Sequence, residues 1–444
     1  MLKLDRYPGL SQIIHNIGWL ILDKIVRLGL GIFLFAIVAR HFGPDLFGKF
    51  SYGVSFATIG FTIVSLGLPS IVVREILYKP ESTNTILGTA ATMHFISGVI
   101  IFLFTSGLVV WIRPDDNLIK VIVVILSSAA MFKFSDIVLY WFESKVESKY
   151  IVLIQNIVFI AFSIIKISMI YFGISIIAFA WITLLESGVT ALFLFVMMMY
   201  RGYNFGDLSI STARAKTLLQ DSLPFMLSGI SITIYMKMDQ IMLGYLVNDK
   251  AVGLYSAGSR ISEVWYFIPT TIAISVLPLL IEARQKSEEE YYANLQIIFD
   301  LLALVGLIMG LVITVFAESI IKTLYGISYL ESAAVLSITI WASLFVSLGV
   351  ASSNWFIIEN RPILALQRTT GAAVVNIILN LLLIPKLGLK GAAFALLLSQ
   401  ATASFFFDYF QSKTRRIFFM KLKGLNVLRK EHTLRSMLRR ISEK

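Results

Sequence analysis

The chemistry this sequence can do resides in ionisable side chains placed inside apolar runs. The stretch from Ser222 to Gly258 is apolar enough to cross a bilayer, yet it carries Lys237 and Asp239 well inside it. Asp23, Lys24 and Arg27 interrupt an apolar run near the N-terminus, Lys133 and Asp136 a second, Arg260 and Glu263 a third, and Lys166 and Glu186 stand alone in theirs. A charge near the centre of a membrane helix costs about 2.5–3.5 kcal/mol, whereas Leu, Ile, Phe or Val returns only about 0.3–0.6 each. Facing lipid, Asp23, Lys24 and Arg27 would together cost roughly 7–10 kcal/mol, so they must face protein or water. Asp23 and Arg27 lie one helical turn apart and, with Lys24, form one polar face. Lys237 and Asp239 point to different faces, so each needs its own partner on another span.

Any one of these pairs could be a structural ion pair between helices. As a set spread over at least five spans, they describe a water-filled central cavity between two halves. Its candidate lining, Lys24, Arg27, Arg74, Lys237 and Arg260, leans basic and would attract a phosphate or pyrophosphate, which Arg binds bidentately and Lys as a point charge. Arg74 falls just past a span, where a cytoplasmic topology signal is an equal reading. The carboxylates Asp23, Asp239, Asp136 and Glu263 are candidates for ion coupling. Asp23 or Asp239, if desolvated, could take up a proton or Na⁺, because burial penalises a bare carboxylate; an adjacent Arg or Lys would instead hold it ionised. Both readings stay open at this point.

Composition says what must hold these groups. Of the 444 residues, 57% are hydrophobic and 15% charged, with a mean hydropathy of +0.82, far from the balance of a soluble domain. Apolar runs of about 20 residues recur along the whole length, the number a helix needs to cross roughly 30 Å of hydrocarbon. The expected class is an all-α polytopic membrane protein with about 12 transmembrane helices: 16–39, 46–69, 85–111, 118–142, 150–172, 174–199, 222–246, 252–280, 293–317, 331–357, 365–384 and 389–411. The net charge of +11 concentrates in the last 33 residues and in alternate loops. It therefore reports orientation, with both termini cytoplasmic, rather than nucleic acid. Lys3 and Arg6 precede an apolar run too long and too charged for a cleaved leader, which fits an uncleaved first span.

Several chemistries are excluded or disfavoured. With no cysteine there is no thiolate, disulfide or iron–sulfur chemistry. The four histidines, His15, His41, His94 and His432, show no metal-ligand spacing, and no metal or other cofactor is expected. Neither a G-x-x-x-x-G-K-[ST] loop nor H-E-x-x-H occurs. A membrane polysaccharide polymerase or ligase would need a large periplasmic loop bearing Arg, Asp or His, whereas Glu318 to Leu330 is short and nearly uncharged. The expectation is a transporter, not an enzyme.

Two segments repeat. Gly48-Lys49-Phe50-Ser51-Tyr52-Gly53 and Gly253-Leu254-Tyr255-Ser256-Ala257-Gly258 both read G-x-aromatic-S-x-G, close to half the chain apart. Six spans per copy returns the second half to the same side, a parallel pseudo-two-fold repeat. The motif itself reads as a tight turn followed by close packing through small residues. The expected organisation is an N-terminal six-helix bundle over 1–200, a cytoplasmic linker over 201–221, a C-terminal bundle over 222–411 and a basic tail over 412–444. The tail alternates basic residues with Phe418, Phe419, Leu422, Leu425 and Leu428, a spacing suited to an amphipathic helix on an anionic leaflet.

With these residues in hand a resemblance can be stated. Ala39-Arg40, Phe42-Gly43-Pro44-Asp45, Phe47-Gly48, Ser51, Ser65-Leu66-Gly67-Leu68 and Arg74-Glu75 resemble the N-terminal signature of bacterial polysaccharide flippases of Wzx type, in the polysaccharide transport family of the MATE-like MOP superfamily. Met238-Asp239-Gln240-Ile241-Met242-Leu243-Gly244, Val252 to Ala257, Arg260, Ile268-Pro269 and Leu277-Pro278 look like its second-half signature. The resemblance implies a MATE-like fold and an inner-membrane protein that flips an isoprenoid (undecaprenyl) pyrophosphate-linked oligosaccharide outward for O-antigen, capsule or exopolysaccharide assembly. It implies alternating access around a central cationic cavity, with Asp23, Arg27, Arg74, Lys237, Asp239 and Arg260 carried over by position. Membrane lipids, a polysaccharide polymerase and chain-length proteins are the implied partners. A cation-coupled multidrug or small-solute antiporter of the same superfamily is the alternative; it would favour an acidic, aromatic-lined cavity.

Overall fold

The computed structural model describes residues 10–426, so the part of the basic tail at 427–444 lies outside the described residues. Every regular element among them is helical. Helix α1, Leu10–Val64, supplies the first two expected spans as two arms joined at a corner: Gly43 takes φ 70°, ψ 170° just before Pro44. Proline cannot donate to the preceding turn, and only glycine adopts that backbone cheaply, so the Gly-Pro pair replaces the loop expected at 40–45.

The second arm ends at Val64, earlier than the expected 69, because Leu66 (φ 50°) and Gly67 (φ 66°) are both left-handed. The chain then restarts as α2, Leu68–Tyr78. A Cβ on Gly67 would come within 2.6 Å of the Met226 backbone nitrogen and 2.7 Å of the Ser222 carbonyl. Glycine is required there for both torsion and space.

Helix α3 runs Thr83–Ile112. The fourth expected span is interrupted: α4, Asn117–Ser128, passes into a seven-residue 3₁₀ stretch, Ala129–Ser135, and then α5, Asp136–Ser144. Asp116 starts α4 by accepting the Ile119 N–H at 3.0 Å, and it also pairs with Lys49. Burial alone would raise the Asp116 carboxyl; these donors bring it below the usual carboxylate range. Helices α6, Ser148–Tyr171, and α7, Ile176–Tyr200, follow.

Helix α8, Thr212–Leu246, carries the chain from one compact unit, Met1–Thr233, into the other, Ile234–Lys444. The second unit continues with α9, Asp249–Val264, and α10, Phe267–Lys286, broken at Trp265-Tyr266 ahead of Pro269. Then come α11, Glu288–Tyr325; α12, Ser332–Thr339; α13, Ala342–Ile358; and α14, Pro362–Leu387. Last are α15, Leu389–Ala401, a π-helical turn Thr402–Phe406, α16, Phe407–Phe410, and α17, Arg415–Leu425. The second and fourth spans are thus broken in both units.

Nine helices among the described residues are long and apolar enough to cross a membrane; the remaining expected spans are the two arms of α1 and the apolar part of α8. Trp111, Tyr171 and Tyr200 stand exposed at span ends, where indole and phenol suit the headgroup region. Inside the first unit α2, α5, α6 and α7 pack through Leu68, Trp141, Ile154 and Met198. In the second, α11 and α13 pack through Phe299, Leu348 and Trp355, and α17 adds Ile417 and Met420 to that core.

The two G-x-aromatic-S-x-G copies lie within α1 and α9, so neither is the tight turn expected. Their last glycines do permit close helix packing. A Cβ on Gly53 would meet the Ile122 side chain at 2.8 Å, and one on Gly258 the Ser332 carbonyl at 2.7 Å. Each copy therefore seats its unit's second span on the fourth, α4 or α12.

Candidate functional sites within the two units

In the first unit, α1 and α6 bring a carboxylate, a guanidinium and two amides together. Arg27 Nε donates to Asp23 Oδ1 at 2.7 Å, Asn156 Nδ2 donates to the same oxygen at 3.0 Å, and Arg27 donates to Gln155 Oε1 at 3.2 Å. An arginine therefore already occupies Asp23, the place an incoming cation would take. Lys133 of the 3₁₀ stretch pairs with Asp136 at the start of α5, and Lys166 of α6 pairs with Glu186 of α7. The 3₁₀ turn matters here: it places Lys133 and Asp136 side by side on one face.

Arg27, Gln155, Lys133, Asp136 and Glu186 converge on a cavity of about 320 Å³, walled also by Phe61 and Phe132. Two cations face two carboxylates across it, and each belongs to a complete ion pair. Lys24, one residue past Asp23, is exposed and does not line it. Nor does Arg74, which sits on α2 and pairs with Asp221 at 2.6 Å.

In the second unit Lys237 and Asp239 part company. Lys237 reaches Glu263 of α9 at 2.9 and 3.1 Å, with Arg260 4.0 Å from the same carboxylate and itself exposed. Asp239 is fully buried and accepts from Tyr255 Oη at 2.7 Å, Asn376 Nδ2 at 2.9 Å and Asn380 Nδ2 at 2.6 Å. No cation pairs with it among the described residues. Asn380 Oδ1 is buried and has no hydrogen-bond partner, so an amide oxygen stands free beside the carboxylate. Tyr255 is the aromatic position of the second G-x-aromatic-S-x-G; its counterpart Phe50 has no hydroxyl and packs edge-on against Phe179.

Sequence reasoning overlooked Asn376 and Asn380, although two asparagines one turn apart in an apolar span are a legible signal. It also overlooked Arg368 of α14 and the buried pair of Lys421 and Asp408. Lys421 donates to Asp408 Oδ2 at 2.6 Å, the Ser404 carbonyl at 2.6 Å and Ser352 Oγ at 2.9 Å. Arg368 donates to the same Ser352 Oγ at 2.8 Å. Lys421 sits in a basic stretch that reads as tail, so nothing in the sequence marked it as core. No group of three or more His, Cys, Asp or Glu side chains suited to a metal occurs among the described residues.

Two helical units, each with broken spans and with charged or amide clusters inside them, define a multi-pass membrane transporter. Residues 13–284 match the model of the polysaccharide biosynthesis protein family, and residues 224–382 match the MatE family. The chain belongs to the polysaccharide biosynthesis protein family, within the MATE-like MOP superfamily. It is 29% identical over 255 residues to the probable flippase AglR of Haloferax volcanii, covering 54% of this chain and 50% of that protein. The chain thus spans about half the length of that relative. It is 21% identical to the capsular polysaccharide biosynthesis protein CapF of Staphylococcus aureus, covering 93% of this chain and all of CapF. The structure of the lipid II flippase MurJ in an inward closed conformation has the same fold, with a TM-score of 0.73 and 16% identity over 93% of this chain and 91% of that one.

Proposed function

We propose that this chain flips an isoprenoid-pyrophosphate-linked oligosaccharide from the inner to the outer leaflet of a bacterial cytoplasmic membrane, for O-antigen, capsule or exopolysaccharide assembly. What supports this most is the presence, inside the apolar spans of both units, of several polar clusters, a costly arrangement that a polar cargo or a coupling ion accounts for as a set. The family supplies the kind of cargo. In this reading access alternates between leaflets, and Lys24, Arg27, Arg74, Lys237 and Arg260 serve the substrate. Both termini face the cytoplasm, following the Lys and Arg bias of the loops, and a polymerase with chain-length proteins takes up the product.

Coupling is assigned to Asp239. Its carboxylate and the free Asn380 oxygen lie where neutral donors hold the carboxylate and, among the described residues, no ammonium or guanidinium pairs with it directly, Lys237 acting only through space, which suits a proton or a small monovalent cation. Asp23 is the weaker coupling candidate because Arg27 occupies it. Asp136 and Glu263 are likewise already paired with lysines.

The test is export in cells. Arg27→Ala and Asp239→Ala should each abolish surface polymer while the protein remains in the membrane. Normal polymer with either variant removes that residue from the mechanism. The MatE match over 224–382 favours a second reading, a cation-coupled antiporter of small solutes. Drug resistance conferred by the chain, with polymer export unaffected by its deletion, would select that reading.

A further inference from the structure

The cavity of the first unit has a lining whose hydrogen-bonding sense is fixed by its own backbone. Ser135 Oγ gives its proton to the Phe132 carbonyl, Thr183 Oγ1 to Phe179, Ser187 Oγ to Thr183 and Thr190 Oγ1 to Glu186, at 2.7–3.3 Å. All four hydroxyls line the cavity. With their protons committed, they present lone pairs, so toward a ligand they act as acceptors. Asp136 and Glu186 add carboxylate oxygens. The donors are fewer: the Gln155 amide, whose oxygen is taken by Arg27, the guanidinium of Arg27 itself and the ammonium of Lys133, both cations already paired with carboxylates.

The charges are equally restrictive. Arg27 with Asp23, Lys133 with Asp136 and Lys166 with Glu186 make three closed pairs, leaving no net charge on this wall. A pyrophosphate entering here would meet an array of acceptor oxygens and no uncompensated cation. A cationic solute would meet no free carboxylate. A neutral ring bearing many hydroxyls matches: its O–H groups donate to the Ser, Thr and carboxylate oxygens, it accepts from Gln155 and Arg27, and its C–H face can rest on Phe61 or Phe132. Gly188 backs Phe132, with room for a Cβ only 3.2 Å from the ring, which fixes the position of that aromatic face. At about 320 Å³ the cavity falls at the lower end of small-molecule sites.

We propose that this cavity is a sugar-reading subsite, which takes an uncharged sugar ring of the cargo and leaves the pyrophosphate to other groups. The assignment rests on the flippase reading for its cargo but not for its test. The chain has no cysteine, so Ser187→Cys places a single thiol on the cavity wall of the full-length protein, and its alkylation by a small maleimide can be timed. A neutral disaccharide, maltose or N,N′-diacetylchitobiose, is expected to slow alkylation several-fold in a saturable way, and inorganic pyrophosphate is expected to leave it unchanged. Adding Thr183→Val and Thr190→Val, which preserve side-chain shape but remove two acceptors, should weaken the sugar's protection about tenfold. Protection by pyrophosphate, absence of protection by both sugars, or protection indifferent to the valine substitutions would overturn the assignment. Lipid-linked oligosaccharide flipping by wild-type protein is scored separately. Flipping without sugar protection sinks the subsite alone, and sugar protection without flipping sinks the flippase reading alone.

Discussion

Asp239 and Lys421 are both buried ionisable groups, yet their surroundings assign them opposite roles. Asp239 is held by neutral donors beside one free amide oxygen, with no cation paired to it among the described residues, and in the proposed reading an arriving ion neutralises its charge. Asp239→Asn, which keeps the shape and the Tyr255 contact, should leave the protein inserted and folded while transport loses its response to an imposed ion gradient. Retained gradient dependence in that variant would place coupling elsewhere. Lys421, by contrast, spends all three protons on protein acceptors, and Asp408 depends on it. Lys421→Met should lower stability by about 3–5 kcal/mol, because Asp408 is left buried and unpaired, and Lys421→Met with Asp408→Leu should recover most of the loss.

The pH response of Lys421 has a definite sign. Burial, only partly offset by Asp408, lowers its ammonium from an ordinary 10.5 to about 8. Between about 8 and 10.5 the unfolded chain binds more protons at this residue than the folded one. Its contribution to stability therefore increases with pH across that window. Thermal unfolding in detergent should show this upward slope in wild type and lose it in Lys421→Met. An unchanged slope would rule Lys421 out as its origin.

At the scale of elements, close helix approach separates glycines that otherwise look alike. A Cβ at Gly258 would press on the Ser332 carbonyl, part of the α12 backbone, whereas one at Gly53 would press on side-chain methyls, Ile122 Cγ2 at 2.8 Å and Leu126 Cδ1 at 3.1 Å, which yield more readily than backbone. Gly258→Ala should cost about 1–3 kcal/mol and Gly53→Ala clearly less. Gly67→Ala should be worse than either, because torsion and space both forbid it. Apparent melting temperatures of the purified variants would check this order, and Gly53→Ala proving the most damaging would contradict the packing account.

How much was legible follows the same division. Span count, the repeated glycine motif and the polar face of Asp23 and Arg27 could be read because they depend on local periodicity and composition. The breaks at Ser65 to Gly67 and Ala129 to Ser135 could not, since the apolar pattern runs through them and tertiary contacts decide where the helix yields. Asn376 and Asn380 carried a readable spacing, but only the fold brings them to Asp239. Lys421 was hidden for a third reason. A basic amphipathic segment looks the same in sequence whether its apolar face meets lipid or, as in α17, the core of its own unit.

For the molecule as a whole, the polar groups are distributed unevenly. The first unit holds a charge-balanced cavity, and the second holds a buried carboxylate that neutral groups bind and that has no ion-pair partner among the described residues. In the proposed reading that division has one unit read cargo and the other respond to an ion, which is the flippase account's most exposed point. The direct test is reconstitution of the full chain into liposomes with a labelled isoprenoid-pyrophosphate oligosaccharide, scoring how much becomes accessible from the opposite leaflet with and without a proton or Na⁺ gradient. The account predicts protein-dependent movement that a gradient accelerates in wild type and not in Asp239→Asn. No movement of the lipid-linked glycan in either case, with a cationic drug taken up instead, would contradict it.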